Sequence, residues 1–99
     1  MVEILDTKIF SITVITHGAA IENLIYPTQV EAGIAFDITY DCRNTGNTSE
    51  EFYGKLTGDE TVIPDSEWQE TIDAGDFVSK AVNLTIDEDT DFVLEVGRP

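Results

Sequence analysis

Asp87, Asp89 and Asp91 recur at every second residue in the stretch Asp87-Glu88-Asp89-Thr90-Asp91, the most ligand-like cluster in the chain. Carboxylates so spaced could hold calcium, a hard cation that takes oxygen ligands. The loop departs from the EF-hand pattern, however. Phe92 stands where that pattern needs a glycine, and Arg98 where it needs the closing glutamate. A solvated hairpin turn is the favoured reading, with calcium as its rival and no other cofactor in view.

Nucleophilic and acid–base chemistry find less material. The one histidine, His17, lies between Thr16 and Gly18 at an expected turn, and Ser11, Ser49, Ser66 and Ser79 keep no fixed spacing to it. Catalytic triads need a geometry that such a scatter does not suggest. The single cysteine, Cys42, continues the alternating series Phe36, Ile38, Tyr40. It reads as a small buried hydrophobe rather than a reactive thiol. No catalytic residue is assigned, and the chain is expected not to be an enzyme.

Aromatic residues offer a different chemistry, that of contact. Trp68 sits between two turns in Ser66-Glu67-Trp68-Gln69-Glu70-Thr71-Ile72, on a segment that makes a poor core strand. It either fills the core, as large aromatics do in small domains, or anchors an interface. Tyr53 points away from Phe52 and Leu56 and could join the same patch. Phe10, Ile12 and Val14, alternating with Ser11 and Thr13, form an apolar face that would also suit a contact.

The elements that must carry these residues are strands. Period-two alternation places Phe36, Ile38, Tyr40, Phe52, Leu56, Leu84, Ile86, Phe92, Leu94 and Val96 on one face of their segments, as the expected core. No segment sustains a helical stripe. Turn residues separate the runs: Ala32-Gly33, Asn44-Thr45-Gly46-Asn47, Gly58-Asp59, Ile63-Pro64-Asp65 and Ala74-Gly75-Asp76. The spacing predicts an all-β, immunoglobulin-like antiparallel β-sandwich of seven or eight strands over residues 17–99. Residues 1–16 form an extra N-terminal strand arm.

Composition bounds the partners. The 99 residues carry 20 acids against 5 bases, a net charge of −15, which argues against nucleic acid and anionic membrane surfaces. The longest apolar stretch is far short of a membrane span, so no membrane insertion is expected. Hydrophobic residues at 41% exclude a disordered acidic tail. A lone cysteine leaves the fold to packing without an internal disulfide. The N-terminus lacks the basic region of a signal peptide, which favours a virion or cytoplasmic setting, or the cell surface if the chain is a fragment.

From Ala20 to Gly97 the order of signals resembles a CARDB-type domain, a cell-adhesion-related immunoglobulin-like module. The matching residues are Tyr26-Pro27, Val30-Glu31-Ala32-Gly33, the strand over 36–42, Asn44-Thr45-Gly46, the strand over 52–56, Ile72-Asp73-Ala74-Gly75 and a closing pair around 84–97. In Asn44-Thr45-Gly46 the asparagine side chain should cap its own turn, and Gly46 could take positive φ. The resemblance implies a binding module, and residues 1–16 lie outside it. The leading expectation is a non-enzymatic structural or protein-interaction module of the virion-decoration kind. It would bind protein, by self-association or within a larger assembly, through its arm and a sheet edge. The rivals are a cell-surface adhesion module cut from a longer exported protein and a calcium-dependent or carbohydrate-binding module.

Overall fold

The computed structural model describes Glu3, Leu5, Asp6, Lys8, Ser11, Ile12 and residues 16–99. The described elements are seven strands: β1 (Ala19–Ile25), β2 (Phe36–Asn44), β3 (Glu50–Gly58), β4 (Thr61–Val62), β5 (Trp68–Ile72), β6 (Phe77–Leu84) and β7 (Phe92–Gly97). All pairings are antiparallel. In one sheet β2 lies between β1 and β6; in the other β3 lies between β7 and an edge shared by β5 and β4. The all-β sandwich expected from the alternation is the fold observed.

Alternation explains the layers. Along β2, Ile38, Tyr40, Cys42 and Asn44 are buried, while Asp37, Thr39, Asp41 and Arg43 face outward. β3 buries Phe52, Gly54, Leu56 and Gly58 in the same rhythm. Facing sheets therefore meet in two clusters. Ile38, Val82 and Leu84 pack with Leu56, and Cys42 packs with Phe52 and Ile72. Of the expected core, Ile38, Tyr40, Phe52, Leu56 and Leu84 are buried, whereas Phe36, Ile86, Phe92, Leu94 and Val96 are only half-covered. Phe36, Ile86, Phe92 and Leu94 lie together at one flank of the sandwich.

Asn44 is 1% exposed and fully bonded. Its amide donates to the carbonyls of Thr48 and Ile72, each at 2.8 Å, and its Oδ1 accepts from the Gly46 N–H at 2.9 Å. The side chain thus caps its own turn as expected. Gly46 has a different role from the one its turn position suggests. It is not among the positive-φ glycines, which are Gly33 and Gly75. A side chain at Gly46 would instead strike the Thr16 carbonyl oxygen, so glycine is needed for close approach of the chain leading into β1.

β1 was the strand hardest to foresee. Its register runs from Glu22 opposite Asp41 to Ile25 opposite Thr39, so one extra residue is accommodated. Asn23 takes up the irregularity at φ 51°. Its amide donates to Asp41, which also accepts from Ser79. These two bonds, that from Ser79 foremost, hold the Asp41 carboxyl below the usual range. The bulge breaks period two and leaves Leu24, Ile25 and Tyr26 exposed.

Candidate functional site

Two flanks of the sandwich are closed differently. On the β5–β6 flank the Trp68 indole N–H donates to the Tyr40 hydroxyl at 2.7 Å. Lys80 lies over the Trp68 ring, 4.8 Å from its centroid, and its ammonium bonds Glu70 at 3.1 Å. The indole occupies the space over Gly54, where any Cβ would collide with it. This seam bridges the sheets, and Trp68 is half-buried within it. Trp68 pairs with Gly54 on the inner face, whereas Tyr53 pairs with Gln69 on the outer face. The register thus sets Trp68 and Tyr53 on opposite faces of the sheet, while both line one shallow hollow with Gly54, Lys55, Glu67 and Gln69. Tyr53 also covers Gly97.

The β1–β7 flank is closed at one end only, where Ala19 and Val96 pack on one cluster and Arg98 meets His17 at 3.0 Å. β7 pairs with β3 on one side, and among the described residues no strand is hydrogen-bonded to its other edge. Toward the end where β1 stops and β7 begins, a cleft of about 1030 Å³ opens between the sheets. Its floor is the core itself, Ile38 and Leu56, and its walls include Leu24, Tyr26, Phe36, Ile86, Phe92 and Leu94. These wall residues are the half-covered members of the expected core other than Val96, together with the exposed end of β1. Buried aliphatic side chains normally meet neighbours all round, so this is an apolar surface awaiting cover.

The acidic turn forms the rim. Asp87, Glu88, Asp89 and Asp91 all border the cleft. The turn is held by its backbone: the Asp59 N–H donates to the Asp91 carbonyl at 2.9 Å, and the Asp91 N–H to the Asp59 carboxylate at 3.0 Å. Among the described residues no group of three His, Cys, Asp or Glu is gathered closely enough to hold a metal ion. Asp87, Asp89 and Asp91 are therefore brought to one rim but not to one point.

His17 and Arg98 both meet Glu50 at the opposite end of the molecule, where β1 starts and β7 finishes. Each of the five bases lies beside a carboxylate; the remaining pairs are Lys8 with Asp6, Arg43 with Glu22, Lys55 with Glu95 and Lys80 with Glu70. Cys42 is completely buried, and burial pushes its thiol pKa up. Burial raises Tyr40 as well, outweighing the hydrogen bond from Trp68. Both groups are neutral packing residues at ordinary pH.

Of the arm residues singled out for contact, Ile12 is 84% exposed, and Phe10 and Val14 lie outside the described residues. Leu5 is 84% exposed as well. Sequence reasoning missed the cleft because it arises from the bulge in β1 and from a β7 edge left unpaired among the described residues, neither of which has a sequence motif. The non-alternating run Ala19-Ala20-Ile21-Glu22-Asn23-Leu24-Ile25 was the available signal. No family model, curated protein or solved structure matches the chain.

Proposed function

We propose that the chain is a non-enzymatic structural module that binds protein, a small subunit of an assembly such as a virion-decoration protein. Its body is read as an immunoglobulin-like sandwich of the CARDB type, and its contacts as the arm over residues 1–16 and a sheet edge. The observation that carries this reading is the uncovered apolar flank: Leu24, Ile25, Tyr26 and Val93 are exposed beside a β7 edge that is free among the described residues. A free edge with apolar neighbours is a template for strand addition.

Charge supports a protein partner. All five bases are paired with acids, which leaves no basic stripe of the kind that nucleic acid requires. Among the described residues, both core clusters form without any residue of the arm. Removing residues 1–16 should therefore leave a folded chain that no longer associates or binds its partner, as read by melting and solution mass. A truncated chain that unfolds, with the intact chain monomeric at high concentration, would make the arm part of the core and end this reading.

A further inference from the structure

Resting on that reading of arm and edge, we propose that the cleft receives the N-terminal arm of a second copy, laid as an added strand beside β7. Phe10, Ile12 and Val14 would turn into the cleft and cover Phe92 and Leu94. Copies would then join head to tail.

The direction in which the arm leaves the sandwich is the first support. The chain enters β1 along the turn that follows β2. The Thr45 N–H donates to the Gly18 carbonyl at 3.0 Å, and the Asn47 N–H to the Thr16 carbonyl at 3.2 Å. The Thr16 N–H closes the set on the Asn47 side chain at 2.9 Å. These bonds extend the β1–β2 ladder past the end of the sheet. Thr16 thereby lies at one end of the molecule, while the cleft opens at the other. A chain reaching its own cleft would have to turn back on itself ahead of Thr16; a neighbouring copy has only to approach end-on.

Pattern and length agree. β7 offers six residues, Phe92–Gly97, an edge of roughly 20 Å at strand rise. The alternating arm stretch over residues 9–15 spans about the same length. β7 presents Phe92, Leu94 and Val96 inward, and the arm brings three apolar side chains at the same period. An added strand also supplies backbone partners for the free edge.

Charge is the third support. Residues 1–16 hold two acids and one base, a net −1, so −14 of the total lies on residues 17–99. The arm can therefore approach an acidic rim formed by Asp87, Asp89 and Asp91 with little repulsion. Because donor and acceptor surfaces differ, the contact is heterologous. Joined head to tail, such copies build open chains wherever the rotation between neighbours does not close a ring.

Two full-length variants test this. Replacing Phe10, Ile12 and Val14 by Ser keeps the charge and removes the donor. Leu94→Lys fills the cleft and removes the acceptor, with Leu24→Lys at an exposed site as the alternative should Leu94→Lys fail to fold. The unmodified chain should form a series of oligomers that grows with concentration. Each variant alone should be monomeric. Mixed in equal amounts, they should form one dimer and nothing larger, since one intact arm meets one intact cleft. Failure of the mixture to dimerise, while the unmodified chain associates, overturns the seating of the arm in the cleft but leaves the arm available to another partner. A closed dimer of the unmodified chain, or a monomer at the highest soluble concentration, also overturns it; binding to another protein is then decided by the truncation above.

Discussion

The two ends of the sandwich are drawn from the same alternating strands and are finished differently. Around Asn44, the Cys42, Phe52 and Ile72 side chains are at most 2% exposed, and one buried amide ties three segments together. At the other end, Ile38, Leu56, Val82 and Leu84 are buried, yet the Phe36, Ile86, Phe92 and Leu94 side chains that pack on them are half-covered. Alternation decides which face of a strand turns inward. Whether inward means buried depends on what covers the strand from the facing sheet: the edge strands β5 and β6 still bury Ile72, Val82 and Leu84, whereas Phe92 and Leu94 on β7 border the open cleft. An end that is sealed stabilises the monomer; an end that is open is available to a partner.

The sharpest way to break this comparison is to cut a side chain from each end. Phe52→Ala should cost about 3–5 kcal/mol, because the site is sealed and collapses poorly. Ile38→Ala, also buried, should cost about 2–5 kcal/mol. Leu94→Ala, measured on the dissociated chain by urea unfolding, should fall below about 2 kcal/mol, since water already reaches part of it. Equal losses at Phe52 and Leu94 would show that the ends are packed alike.

An intermediate effect is expected at alkaline pH, and it reports on the sealed side. The ordinary pKa values are 9.0 for the Cys42 thiol and 10.0 for the Tyr40 hydroxyl, and burial raises both in the folded chain. Between the two sets of values the folded state holds more protons than the unfolded one. Stability is then fully present below about pH 9 and falls as pH rises. Cys42→Ala should move the onset of that fall upward in a pH series of melting curves. An onset unchanged by this substitution would mean that the thiol is not desolvated.

The smallest effect is expected from salt. With a net charge of −15 the compact state repels itself, and screening reaches about 10 Å at 0.1 M salt. The melting temperature should rise modestly between low and molar monovalent salt, and association through the open end should strengthen over the same range. A flat response in both would mean that the carboxylates are too well paired or too distant to matter.

Much of the fold was legible in the sequence because it rests on local regularities. Phe36, Ile38, Tyr40 and Cys42 announce β2, and the cap by Asn44 follows from a side chain that bonds its own turn. β1 was not legible, since the extra residue near Asn23 destroys the period that reveals a strand. Ser66 was missed for another reason. Its hydroxyl is buried against the Leu56 N–H and carbonyl, a pairing that depends on the hairpin closing first. The candidate site was legible in halves. Ile12 and its neighbours marked an apolar arm, and Asp87, Asp89 and Asp91 marked what became a rim. The apolar cleft behind that rim is a consequence of tertiary packing, visible only once β1 and β7 are placed.

Amide hydrogen exchange along β7 tests the open end most directly, with β6 as an internal control because its outer edge is also free among the described residues. In the full-length chain, the outward-facing amides over Phe92–Gly97 should become protected as concentration rises, while those on the outer edge of β6 stay unchanged. The variant with Ser at positions 10, 12 and 14 should show fast exchange at both edges at every concentration. Equal β7 exchange rates in the two proteins, across a concentration range in which the full-length chain associates, would contradict the claim that this edge is where a partner strand is received.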